Sequence, residues 1–286
     1  MVCSGEPHSV VSECKGEARP LGGEARRGRG GRCGARGALW RVAAAEACGA
    51  ALLVALGCLP GCTGPGPAAG SSLQRALVGG LTVAALVQCF DHVSGAQLNP
   101  VVSLAAALAG RTTSLVAAAA CAAQLTGATL GAALLLMFEP RAVALCVTKP
   151  ATNISIYQAL AIEALLGGVL ALANLAAWDA RNRLLVDSWP LRIGAVVTAL
   201  SLVAGDLTGA SMNPARSFAP ALLSGDWDAL WVYWVGPLSG ACAAAALYGA
   251  AWRAPPDAPA RGAAPAPPAP PAPPAPPSRA ATPALY

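Results

Sequence analysis

"LTGASMNPARS", residues 207–217, sets an Asn-Pro pair inside a chain so apolar that nearly every polar side chain in it needs a reason. "VSGAQLNPVVS", residues 93–103, is almost the same phrase 114 residues earlier. Aligned from 92 and 206, the two stretches are identical at Gly95/Gly209, Ala96/Ala210, Asn99/Asn213, Pro100/Pro214, Ser103/Ser217 and Ala105/Ala219, and conservative at Ser94/Thr208. The repeat extends upstream: Glu46 lies 53 residues before Asn99 and Glu163 lies 50 before Asn213, each a lone carboxylate in an apolar run.

Composition gives those runs their setting. Hydrophobic residues make up 55% of 286 and charged residues 12%, against about 25% charge in soluble domains. Long apolar runs fall at roughly 38–58, 76–90, 112–138, 157–178, 191–205 and 229–252. Apart from the fifth, which needs its flanks, they are long enough to cross a ~30 Å hydrocarbon core. The fold class expected is an all-α membrane protein with six transmembrane helices. Three spans per half is an odd number, so the second half enters the membrane inverted relative to the first. Repeat 1 covers about 38–138 and repeat 2 about 157–252 of a single domain, 38–252.

Basic residues cluster at and before the start of the first span, from Lys15 to Arg41, after the sixth at Arg253, Arg261 and Arg279, and in the connections holding Arg111, Arg181, Arg183 and Arg192. Only Arg75, Arg141 and Lys149 fall opposite. The positive-inside rule then puts both termini in the cytoplasm. The net charge of +5 reads as topology, and no nucleic-acid partner is expected. Residues 1–37 lack the apolar core of a cleavable signal, so the first span is expected to act as a signal anchor. That basic N-terminal stretch and the Pro/Ala-rich 253–286 cannot bury a core, and both are expected to be disordered. The Pro-rich tail has the composition of an SH3 or WW ligand, although such repetition is more often a solvated extension.

Each Asn-Pro phrase predicts a helix start. Asn is a strong N-cap, Pro suits the first helical position, and Gly four residues before the Asn permits a sharp turn. Runs from Asn99 to about Ala109 and Asn213 to about Leu223 amount to ~16 Å at 1.5 Å per residue, half the hydrocarbon. They read as two re-entrant half-helices entering from opposite faces and meeting near the midplane. Two positive helix ends and two Asn amides would then surround one point. Irregular backbone at that depth must line a cavity, with apolar walls from Val83 and Val197, each 16 residues before its Asn. Such a lining suits a file of small neutral molecules and sets an electrostatic barrier to cations and protons. Glu46 and Glu163 read as braces for the loops, with coupling-ion sites as the weaker alternative.

The paired motifs "SGAQLNPVV" and "TGASMNPARSFAP", a Glu in the first and fourth spans, and "WVYWVGPLSGA" at 231–241 resemble the aquaporin (major intrinsic protein) family over about residues 38–252. The resemblance implies a pore in each protomer of a homotetramer, water as permeant, and pore-centre motifs at Asn99-Pro100-Val101 and Asn213-Pro214-Ala215. Val101 departs from the usual Ala; it either narrows the pore or packs outward. Counting from the two asparagines, the family's outer constriction falls on Gly79, Ser201, Ala210 and Arg216, with Val78 or Gly80 in place of Gly79 if the count slips by one. Lacking the aromatic ring and the imidazole of strict water channels, this ring implies passage of glycerol or urea. "LANLAAWDARN" at 172–182 and Ser201 are similar to the entomoglyceroporin branch.

The ten cysteines show no metal or redox spacing, and Cys58 and Cys62 are placed to pair in the first outer connection. Asn153-Ile-Ser155 is a glycosylation sequon in the connection between halves. No nucleotide loop, metal cluster or nucleophile elbow occurs, so no enzyme, cofactor or metal is expected. The alternatives are a secondary transporter, also built on inverted repeats with broken helices, and a closed-pore membrane-junction protein. The expected location is the plasma membrane.

Overall fold

The computed structural model describes residues 31–62, 71–139, 141–256 and 258–261. Its elements are helices: α1 Gly31–Cys58, α2 Ser72–Ser94, α3 Pro100–Leu108, α4 Ser114–Phe138, α5 Ala142–Cys146, α6 Ile156–Ala177, α7 Trp189–Thr208, α8 Pro214–Ser224 and α9 Val232–Ala251, with two short 3-10 turns. Five of them are long and apolar enough to cross a membrane: α1 from Leu39, α2, α4, α6 and α7. The sixth expected span coincides with α9. Its 20 residues match the others in length, but Gly236, Pro237, Ser239 and Gly240 dilute its apolar character.

The order long, long, short, long repeats, so α1–α4 correspond to α6–α9 with α5 between them. Packing obeys that correspondence: α1 lies along α4 as α6 lies along α9, and α2 packs on α7 across the junction. Each half-helix leans on the last helix of the opposite half, α3 on α9 and α8 on α4. Glycines permit this closeness. A Cβ at Gly127 would stand 1.9 Å from the Ala47 carbonyl oxygen, and one at Gly240 would stand 1.9 Å from that of Ala164. In hydrocarbon, where burial of apolar surface gains little, such backbone approach supplies the dispersion contacts that hold helices together.

The expected cysteine pairing needs correction. Cys58 pairs with Cys146, not Cys62, because α5 lays Cys146 against the end of α1 with a Cα–Cα distance of 5.6 Å. Most of the two tails lies outside the described residues, including the Pro-rich stretch suited to an SH3 or WW domain. Among the described residues, α1 begins at Gly31, and residues 253–256 and 258–261 lie across the α6–α7 connection. There Asp179 accepts from Arg181 Nε at 2.7 Å, Arg181 Nη2 at 3.0 Å, Tyr248 Oη at 3.0 Å and the Ala254 amide at 3.1 Å. Arg183 Nη1 reaches the Ala258 carbonyl at 2.9 Å, and the Arg261 amide donates to the Arg181 carbonyl at 2.7 Å. The Arg181 guanidinium, helped by the Ala254 amide and the Tyr248 hydroxyl, holds the Asp179 carboxyl well below the usual carboxylate range despite burial.

Candidate functional site

Both Asn-Pro phrases start helices for the reasons their residues suggest. Gly95 and Gly209 close α2 and α7 in the left-handed conformation, φ 82° and 79°, which glycine adopts without steric cost. Asn99 then caps α3 by accepting from the Val101 amide at 2.9 Å. Asn213 caps α8, accepting from the amides of Ala215 at 3.0 Å and Arg216 at 3.3 Å. Pro100 and Pro214 occupy the first helical positions. The half-helices have 9 and 11 residues, about half a ~30 Å hydrocarbon core at 1.5 Å per residue.

Between each Gly and its Asn the backbone is strained. Ala96, Leu98, Ala210 and Met212 all have positive φ, from 41° to 53°, a conformation costing on the order of 1–2 kcal/mol for a residue with a Cβ. The two buried carboxylates hold it in place. Glu46 accepts from Ser94 Oγ at 2.6 Å, the amides of Gln97 at 2.9 Å and Leu98 at 2.6 Å, and Gln124 Nε2 at 2.7 Å. Glu163 accepts from Thr208 Oγ1 at 2.7 Å and the amides of Ser211 at 3.0 Å and Met212 at 2.9 Å. Bonds to a charged acceptor contribute about 1.5–3 kcal/mol each, enough to offset the strain of the loop they pin. Both carboxylates are therefore occupied by backbone amides and neighbouring side chains.

The two loops also hold each other. Asn99 Nδ2 donates to the Met212 carbonyl at 2.8 Å, and Asn213 Nδ2 donates to the Leu98 carbonyl at 3.1 Å. Residues 114 apart in sequence thus meet with their helix ends facing one point. That point borders a cavity of about 550 Å³ running along the bundle from Ser72, Arg75 and Asp206 past both asparagines to Asn174 and Trp189.

Gly79, Ser201, Ala210 and Arg216 all line this cavity, as do Val83 and Val197. The count that chose Gly79 is resolved by its neighbour. A Cβ at Gly79 would meet nothing within 4 Å, whereas one at Gly80 would collide with Thr198 and the Gly194 carbonyl, so Gly80 faces α7. Val101 packs outward, fully buried with Ala105, Ala171, Leu175, Ala241 and Tyr248; Ala215, its counterpart, sits against α1 and α4. Neither lines the cavity. Arg216 is anchored from the side: Nη1 donates to the Cys146 carbonyl at 2.7 Å. Asn153 is exposed in the connection before α6, away from the cavity.

Several supporting residues escaped the sequence. Gln124 joins Glu46 to Ser103 Oγ at 2.9 Å, and its only signal was being the lone amide in the run 112–138. Thr148 donates to Ser217 Oγ at 2.7 Å, and Tyr233 Oη donates to the Thr208 carbonyl at 2.8 Å. Neither had a signal beyond a polar group near an apolar run.

The family model described as "Major intrinsic protein" matches residues 35–248. The chain is 40% identical to aquaporin-4 of Bos taurus over 171 residues, 59% of this chain and 53% of that protein. It is 41% identical to the lens fiber major intrinsic protein of Oryctolagus cuniculus over 186 residues, 64% of this chain and 70% of that one. It thus spans about half the length of the aquaporin-4 relatives it matches. Among solved structures, the aquaglyceroporin from Plasmodium falciparum superposes with a TM-score of 0.68 at 22% identity, covering 74% of this chain and 96% of that one.

Proposed function

The chain belongs to the major intrinsic protein family, and from that premise we propose that it is a passive membrane channel for water, glycerol and urea that excludes ions and protons. The observation carrying this reading is the meeting of the two half-helices at the cavity, tied by the crossed Asn99 and Asn213 bonds. Each helix end contributes roughly half a positive charge. Each Asn keeps a second amide N–H to offer a passing oxygen. A neutral hydroxyl or carbonyl gains a donor there, while a cation meets like charge in a low-dielectric setting. Gln97 also borders the cavity.

Solute range follows from the ring. Gly79, Ser201 and Ala210 leave Arg216 as its one bulky member, so the aperture suits molecules wider than water. Arg216 offers further donors and a fixed charge. The entomoglyceroporin likeness rests on residues 172–182 and Ser201. The disulfide supports an orientation with both termini cytoplasmic, since Cys58 and Cys146 lie at the bundle end opposite the termini and disulfides persist in oxidising compartments. That is the arrangement expected in a plasma membrane. Assembly as a homotetramer is carried over from the family. The test is stopped-flow light scattering on proteoliposomes: rapid osmotic shrinkage with a low activation energy, plus non-saturating glycerol and urea entry, is expected. Saturation, or dependence on an ion gradient, would assign the chain to carriers instead.

A further inference from the structure

Cys58 closes α1 and Cys146 closes α5, 88 residues further on, and a disulfide joins them. Cys146 is also the residue on which Arg216 hangs: its carbonyl accepts from Nη1 at 2.7 Å, and its Sγ lies 3.6 Å from Nη2. Beyond Cys146 the connection is fastened to the second half. Thr148 bonds Ser217, the Ala151 amide donates to the Leu207 carbonyl at 2.8 Å, and Lys149 pairs with Asp226. The disulfide is thus the covalent link between that anchorage and α1 of the first half.

We propose that the Cys58–Cys146 disulfide is a specificity-determining element that fixes the carbonyl holding the Arg216 guanidinium, and thereby the aperture for solutes. The inference rests on the channel reading. Its physical basis is the bareness of the ring: with Gly79, Ser201 and Ala210 opposite, the opening is set by where one flexible side chain stands. A planar guanidinium with several donors keeps one orientation only if its acceptor is fixed. Cys58 and Cys146 both border the cavity beside Arg216, so loosening their bond acts at the constriction itself. A disulfide that served only to restrict the unfolded chain would leave solute discrimination alone.

Reduction by a dithiol is a balanced two-electron exchange. A reductant thiolate attacks one sulfur, the second thiol closes the reductant's own disulfide, and Cys58 and Cys146 are left as thiols. Among the described residues Cys48, Cys89, Cys121 and Cys242 are already free thiols, which the same reagent leaves unchanged.

The experiment measures water, glycerol and urea permeability of full-chain proteoliposomes before and after dithiothreitol, with alkylation and mass spectrometry reporting the two thiols. Reduction is expected to change the glycerol-to-water ratio by roughly threefold or more, a barrier difference well within what one side-chain contact supplies. Reoxidation restores it. Cys58→Ser/Cys146→Ser should show the reduced ratio and ignore the reagent, and acting on folded protein keeps the test valid if that variant folds poorly. In Arg216→Ala the ratio should no longer respond, which a merely structural bond would not predict. Normal water flux with an unchanged ratio and both thiols free overturns the inference alone, as does a response that persists in Arg216→Ala. Water permeability no greater than that of protein-free liposomes overturns the channel reading and this inference with it.

Discussion

At the third residue past its capping asparagine the first half carries Val102 and the second carries Arg216, and both border the cavity. Up to that residue the two loops match in backbone: φ is 82° and 79° at the glycines, 41° and 43° at the alanines that follow, and 53° at both Leu98 and Met212. Each loop is pinned by one buried carboxylate, and each asparagine donates to a carbonyl of the opposite loop, Met212 for Asn99 and Leu98 for Asn213. The duplicated part is therefore scaffold, needed twice because the bilayer supplies no water to unpaired backbone groups. On the proposed channel reading, discrimination is assigned to what was not duplicated: Arg216, its anchor on Cys146, and the open side at Gly79 and Ser201.

Changing the duplicated part should damage both halves alike and most severely. Glu46→Gln sets an amide N–H against donors at Ser94, Gln97, Leu98 or Gln124, and Glu163→Gln does so at Thr208, Ser211 or Met212. Each should destabilise by about 3 kcal/mol or more, the cost of stranding buried polar groups. Glu46, which accepts from four donors where Glu163 accepts from three, should suffer more. Thermal unfolding in detergent checks this; a neutral outcome in either half would break the symmetry claimed.

Altering the unduplicated part should spare the fold and move selectivity. Arg216→Val gives the second half the side chain of the first, so glycerol and urea flux should rise on the order of tenfold, about 1.4 kcal/mol of barrier, with water flux little changed. Gly79→Phe with Ser201→His should lower solute flux by a similar order of magnitude while water still passes. Solute uptake against osmotic shrinkage reads both. Unchanged ratios would move the constriction elsewhere.

The smallest effect concerns the end opposite the disulfide, where the 253–261 strap is held by Asp179 without a covalent bond. A carboxyl held below its ordinary pKa stabilises docking above that ordinary value and loses the contribution as pH falls through the depressed one. Strap docking should therefore be constant from about pH 5 to 8 and weaken only below about pH 4. Asp179→Asn, by contrast, should speed tryptic cleavage at Arg253 and Arg261 a few-fold at neutral pH. Equal cleavage rates would deny Asp179 this role.

What was legible in the sequence follows the same division. Asn99, Asn213, Glu46 and Glu163 announced themselves because duplication at fixed spacing distinguishes a working polar residue from an incidental one. Gly79 was reachable by counting within one helix, where register is rigid. Val101 was not, since its direction depends on α6 and α9 packed behind it. The Cys58–Cys146 pairing spans a connection whose path no periodicity encodes, and cysteine count leaves connectivity open. The strap had no signal in the sequence because composition describes the average of 253–286, whereas docking depends on a few backbone groups meeting Asp179 and Arg183.

The central claim is that the paired half-helix ends pass neutral molecules and turn back charge. Proteoliposomes loaded with a pH-sensitive dye and subjected together to an osmotic step and a pH step test it most directly. The account predicts fast water flux with proton flux no greater than in protein-free vesicles. Proton entry rising in proportion to water flux would contradict it.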